Sequence, residues 1–209
     1  MVKIKICGIT NISDYNNAVS SGADYTGFIF YKQSKRYINE TEVRKIISEG
    51  CKSNNLRVGV FVNEPIAEVQ RIYEFCELDI VQLHGDETEE YCDELNLPYW
   101  KVIRIKDETS ISLIEENNCN TILVDTYSKD QFGGTGIPID RELVKKSIRT
   151  GKNIIVAGGV SIQNVHHILK LNPFGVDINS SIEEKKGKKD ILKMKEIINT
   201  IKGYNDGIR

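Results

Sequence analysis

The chain has 209 residues, with 28 lysines and arginines against 30 aspartates and glutamates, for a formal charge of −2. That length suits one sizeable domain. A content of 40% hydrophobic and 28% charged residues, with only 4 prolines, excludes disordered, collagenous and low-complexity classes. Balanced charge also argues against nucleic-acid binding, which needs excess Lys and Arg gathered on one face, so any anion recognition must be local.

Residues 1–10 carry Lys3 and Lys5 inside a short apolar stretch, which does not read as a signal peptide, and no apolar run approaches the roughly 20 residues needed to span a bilayer. The five cysteines, Cys7, Cys51, Cys76, Cys92 and Cys119, stand at wide, irregular gaps without a CxxC pair or a His at metal-ligand spacing. This predicts free thiols in a reducing cytoplasm and no metal site. All but Cys7 read as small apolar residues.

In chain order, strand-like runs occupy 3–7, 25–30, 57–62, 80–84, 100–105, 121–125, 153–157 and 175–178. Helical spacing lies between them. In 64–76, Ile66, Val69, Ile72, Tyr73 and Cys76 share one face while Glu68, Arg71 and Glu74 can face water. Asn63 ahead of Pro65, and Ser161 after Gly158-Gly159, are helix-start signals. His166 and His167 fall within a helix and read as surface or packing residues. The run Lys185-Lys186-Gly187-Lys188-Lys189 reads as a solvated loop. Eight β-then-α units imply a parallel sheet with crossover helices, and the count favours an α/β single-domain (β/α)8 TIM barrel over 1–209 against an open doubly wound sheet.

In such a barrel, chemistry belongs at the carboxyl ends of the strands. Cys7-Gly8, Gln82 and His84, Asp125, Gly158-Gly159 and Asn179-Ser180-Ser181 stand there. The seventh and eighth loops are rich in glycine or side-chain donors, which suits a phosphate site beside a helix start. The stretch 125–136, with Gly133, Gly134 and Gly136, is a long loop able to approach a ligand, without the Lys-Ser/Thr ending of a nucleotide loop. Asp125 follows Leu123-Val124, at the rim of an apolar interior where desolvation favours the protonated acid, and Cys7 takes the matching place on the first strand. An acid and a base across one mouth suit proton transfers.

The segments Lys5-Ile6-Cys7-Gly8-Ile9-Thr10, Gly27-Phe28-Ile29-Phe30-Tyr31, Ser34-Lys35-Arg36-Tyr37, Val58-Gly59-Val60-Phe61-Val62-Asn63, Val81-Gln82-Leu83-His84-Gly85-Asp86-Glu87, Gly133-Gly134-Thr135-Gly136 and Ala157-Gly158-Gly159-Val160 closely resemble, in order, those of the N-(5′-phosphoribosyl)anthranilate isomerases. The resemblance implies a cofactor-independent Amadori rearrangement in tryptophan biosynthesis, giving 1-(o-carboxyphenylamino)-1-deoxyribulose 5-phosphate from phosphoribosylanthranilate. It implies Cys7 as general base, Asp125 as general acid, Arg36 against the anthranilate carboxylate, and Gly158, Gly159 and Ser180 at the phosphate. Gln82, His84, Gly133, Gly134, Asn179 and Ser181 complete the expected substrate-binding set. The small molecule would be the partner, with no membrane and with a monomer or homodimer both open.

The chain departs from the family's pattern at Lys35, where proline is common, and at Asn179 and Ser181, in a segment more usually Ser-Ser-Gly. Lys35 should loosen the loop carrying Arg36; the other two should alter side-chain contacts to phosphate while backbone N–H groups still bind it. Alternation along the first strand places Lys5 and Lys3 inward beneath Cys7, and a buried lysine needs a partner. Asp177 on the eighth strand is the candidate, with Lys5 also favouring a Cys7 thiolate. The competing readings are another sugar-phosphate isomerase or epimerase barrel, whose metal or diphosphate ligand sets are absent at these strand ends, and a catalytically inactive phosphate-ligand-binding barrel, which would need neither Cys7 nor Asp125.

Overall fold

The computed structural model describes residues 1–126 and 140–207. Eight parallel strands close into a barrel in sequence order, β1 (Lys3–Ile6), β2 (Tyr25–Ile29), β3 (Leu56–Phe61), β4 (Ile80–Leu83), β5 (Tyr99–Ile105), β6 (Thr121–Thr126), β7 (Asn153–Val156) and β8 (Gly175–Ile178). The helices between and after them are α1 (Ile12–Ser21), α2 (Glu40–Glu49), α3 (Ile66–Phe75), α4 (Glu89–Leu95), α5 (Thr109–Glu116), α6 (Arg141–Arg149), α7 (Val165–Leu169) and α8 (Ile191–Gly207). Among the described residues, no helix is long and apolar enough to cross a membrane.

Period-two alternation divides the hydrophobic residues into two sets. Tyr25, Val58, Trp100, Val102, Leu123 and Ile155 pack inside the barrel, with Tyr25 edge-on to Trp100 at 4.9 Å between ring centroids. Their strand neighbours, such as Ile6, Phe28, Phe61, Leu83, Val124, Val156 and Ile178, face outward against the helices. Where the inward row turns polar, at Lys5, Gln82, Asp125 and Asp177, the buried or part-buried groups lie toward the carboxyl ends.

Local signals set the helix ends. Asn11 and Asn39 cap α1 and α2 by accepting from the N–H of Asp14 and Glu42, and Asp140 does the same for α6. The face foreseen on α3 holds, with Val69, Ile72 and Cys76 buried, and Pro65 stands at its N-cap. His166 and His167 are exposed on α7.

Four expectations are corrected. The helix after Gly158-Gly159 begins at Val165 with Asn164 at its N-cap, because residues 161–164 form a turn in which the Ser161 N–H donates to Asn164 Oδ1 at 2.9 Å. Cys51 is exposed, whereas Cys76, Cys92 and Cys119 are buried. Lys3 reaches Asp24 at 2.8 Å, its side chain 40% exposed, so it escapes to water at the amino end of the barrel. The lysine run is a two-stranded hairpin, β9 (Glu183–Lys185) and β10 (Lys188–Lys189), that turns Lys189 fully inward.

Candidate active site

A cleft of about 780 Å³ opens to solvent at the carboxyl ends of the strands, and Cys7, Arg36, Gln82, His84, Asp125, Gly158, Gly159, Asn179 and Ser180 all line it. Of the expected site residues described, only Ser181 is missing from this wall. Its hydroxyl donates to the Val160 carbonyl at 2.5 Å, strapping the eighth loop to the seventh. Gly133, Gly134 and Gly136 lie outside the described residues.

Cys7 follows β1 and is held by its N–H to the Ile178 carbonyl at 2.9 Å. Beneath it, Lys5 is fully buried and its ammonium lies 3.0 Å from Asp177 Oδ2, on residues in direct register between β1 and β8. This is the pair foreseen from alternation. Gly27 on β2 makes room for both, since a Cβ there would lie 2.8 Å from Cys7 Sγ and 3.2 Å from Lys5 Cε. Burial pushes the Cys7 thiol up, opposed by the Lys5 charge; burial lowers Lys5, but Asp177 and Cys7 carry it above its ordinary value. Lys5 therefore favours thiolate as expected, yet does not outweigh desolvation.

Asp125 stands across the mouth on β6, three strands away through β8 and β7. Its Oδ1 accepts from the Thr126 N–H at 2.7 Å, and its Oδ2 lies 3.5 Å from His84 Nε2. Gln82 Nε2 donates to His84 Nδ1 at 3.1 Å, so the imidazole proton is assigned to Nε2, facing Asp125 and the cleft. The ring is thus both a hydrogen-bonded residue and part of the wall. Gly158 adopts φ +73°, and a Cβ there would meet Thr126 Oγ1 and lie 2.9 Å from Asp125 Oδ1, so glycine both turns the seventh loop and clears the carboxylate.

Gly159 also has a left-handed φ, +71°, and the N–H groups of Gly158 and Gly159 meet no acceptor among the described residues. Ser180 opens a single 3-10 turn directly after β8. Three buried polar atoms of the wall, Gln82 Oε1, His84 Nε2 and Asp177 Oδ1, also have no hydrogen-bond partner; Ser21 Oγ and Glu89 Oε2 are the others among the described residues. Unmet donors and acceptors gathered in one cleft suit a polar ligand.

Arg36 shows what sequence reasoning missed. Its guanidinium is gripped by Glu183 with Nε to Oε1 at 2.7 Å and Nη2 to Oε2 at 2.8 Å. The hydrogen bonds to Glu183 raise Arg36, and against the effect of burial Arg36 and Lys189 hold Glu183 below the usual carboxylate range. Glu183 carries no local motif, and Lys189 was hidden in a run of five residues whose other lysines are exposed. The loop of Arg36 is tied by its own turn, with Ser34 N–H to Tyr31 O at 2.9 Å and Arg36 N–H to Ser34 Oγ at 3.1 Å, despite Lys35 in the proline position. In the fourth loop, Glu87 accepts from the N–H of Asn63 and Gly85 and from Lys101 Nζ, the last at 2.6 Å, which fixes the chain after His84.

A family model described as N-(5′-phosphoribosyl)anthranilate (PRA) isomerase matches residues 4–200. A curated relative of that name from Geotalea uraniireducens is 40% identical, covering 97% of this chain and all of its own length. The crystal structure of phosphoribosyl anthranilate isomerase from Thermotoga maritima superposes with a TM-score of 0.90 at 34% identity, over 97% of this chain and 100% of that one. A further structure of phosphoribosyl anthranilate isomerase, in complex with reduced 1-(o-carboxyphenylamino)-1-deoxyribulose 5-phosphate, is similar at a TM-score of 0.87 and 34% identity, with the same coverage. With a closed eight-stranded barrel, Cys7 and Asp125 across its mouth and a family match running through nearly the whole chain, this protein belongs to the N-(5′-phosphoribosyl)anthranilate isomerase family.

Proposed function

We propose that the chain is a single barrel domain over 1–209 that converts N-(5′-phosphoribosyl)anthranilate to 1-(o-carboxyphenylamino)-1-deoxyribulose 5-phosphate in the cytoplasm, as a step of tryptophan biosynthesis. The observation that carries this reading is one cleft holding a thiol and a carboxyl three strands apart, with an arginine and loop N–H groups that are unpaired among the described residues beside them. Five free cysteines accord with a reducing compartment.

Asp125 protonates the ribose ring oxygen, so the ring C1′–O bond breaks and the anthranilate nitrogen is left as a protonated Schiff base. The iminium acidifies C2′, and the Cys7 thiolate takes that proton; its electron pair moves into the C2′–C1′ bond and gives an enolamine. Reprotonation at C1′ with loss of the C2′ hydroxyl proton yields the ketone, so the reaction is an internal redox exchange between C1′ and C2′. Lys5, neutralised in part by Asp177, is the counter-charge to the thiolate. Arg36 presents its remaining N–H donors to the anthranilate carboxylate, and Gly158, Gly159 and Ser180 bind phosphate mainly through main-chain N–H groups. Asn179 adds to that loop, and Gln82 and His84 contact the ribose side.

The test is to generate phosphoribosylanthranilate in solution and follow the loss of its fluorescence on adding the purified protein, with the isomeric product identified by borodeuteride reduction, which places deuterium at C2′ of the ketone and at C1′ of any remaining substrate imine. Turnover to the ketone supports the assignment; a protein that binds the substrate without consuming it is the inactive binding barrel.

A further inference from the structure

Lys189 is a buried cation that the chemistry above leaves unused. Its side chain is fully buried, and Nζ lies 2.8 Å from Asn179 Oδ1, 3.1 Å from the Asn179 carbonyl and 3.3 Å from Glu183 Oε1. Its main-chain N–H goes to Asp14 Oδ2 at 2.9 Å, and that carboxylate also accepts from Asn11, so Asp14 fastens the strand. The tip of the same hairpin is latched to the first loop, where Thr10 Oγ1 donates to the Gly187 carbonyl, and Gly187 N–H reaches Glu183 Oε1 at 3.3 Å.

Arg36 and Glu183 alone make a closed, neutral pair. A guanidinium already matched by a bidentate carboxylate offers little net attraction to a second carboxylate in a partly desolvated cleft. Lys189 changes the count: burial and, less strongly, Arg36 push its ammonium below its ordinary value, Glu183 at 3.3 Å and Cys7 oppose that, and with Lys189 protonated two cations against one anion leave a single positive charge on the cluster. Resting on the proposal that Arg36 receives the anthranilate carboxylate, we infer that Lys189 is a positioning residue that sets the specificity of this subsite. It holds Glu183 and Asn179 in place and supplies the unbalanced charge that a benzoate-type anion cancels.

The experiment compares two substrates, phosphoribosylanthranilate and the analogue lacking the carboxylate, made by condensing aniline with ribose 5-phosphate. Lys189→Met costs activity toward both through Asn179, but the ratio of kcat/KM for the carboxylate substrate over the aniline substrate falls by about tenfold or more, mostly in KM. Adding Glu183→Gln to Lys189→Met restores the single positive charge and brings the ratio back to within about threefold of wild type, which a purely structural role for Lys189 would not do. The double variant is read by itself if Lys189→Met does not fold. An unchanged ratio in Lys189→Met, or a double variant as unselective as Arg36→Met, overturns the inference. Arg36→Met tests the underlying assignment separately: if it lowers both substrates equally, the carboxylate site lies elsewhere.

Discussion

Lys5 Nζ and Asp177 Oδ2 lie 3.0 Å apart between residues in direct register on β1 and β8, immediately beneath Cys7. The pair supports both the barrel and the thiol above it. Lys5→Met leaves Asp177 buried without its cation, and loss of one partner of a buried pair costs about 3–5 kcal/mol. Urea denaturation should show that loss, and Lys5→Met with Asp177→Asn together should recover part of it.

The thiolate fraction of Cys7 should rise with pH across the neutral range. Burial holds the Cys7 thiol above its ordinary value, so the thiolate is the minor form at neutrality and grows as pH increases. The expected outcome is a rate of Cys7 alkylation by iodoacetamide, followed by peptide mass, that climbs by up to about tenfold per pH unit toward the alkaline side. Lys5 lowers the thiol, so Lys5→Met should move the rise to still higher pH. An alkylation rate at Cys7 that stays flat from neutral to alkaline pH would contradict the raised thiol.

Gly158→Ala should impair the acid while leaving the barrel intact. The position needs φ +73° and the added methyl would press on Thr126 and on Asp125 Oδ1. A left-handed L-residue costs roughly 1–2 kcal/mol, and displacement of the carboxyl should lower kcat by about tenfold or more. Steady-state kinetics beside thermal unfolding separate the two effects.

Glu183 links the site to acid stability. Its folded value is depressed, so its contribution is complete above its ordinary carboxylate range and is lost as pH falls through the depressed value. The stability difference between wild type and Glu183→Gln should therefore shrink on acidification from neutral pH, measured by chemical denaturation at fixed salt.

Much of this was legible because barrels repeat their signals. Eight alternating runs predicted eight strands, and period-two alternation was enough to pair Lys5 with Asp177 across two strands far apart in sequence. The same rule placed Lys3 inward but could not show that the barrel's amino end is open, where the chain reaches Asp24 and water. Cys7, Asp125 and the glycine pair were visible because strand ends concentrate them. Glu183 and Lys189 were not, since a hairpin that folds back onto the first loop is a tertiary event, and a lysine run has the same composition whether one member is buried or none is.

The division of labour between Cys7 and Asp125 is the centre of this account, and rates for Cys7→Ser and Asp125→Asn, followed by the loss of phosphoribosylanthranilate fluorescence, test it most directly. Each variant should fold like wild type, bind the reduced product analogue, and lose at least about a hundredfold in kcat, as removal of a general acid or base does. Full activity in either variant would contradict the mechanism.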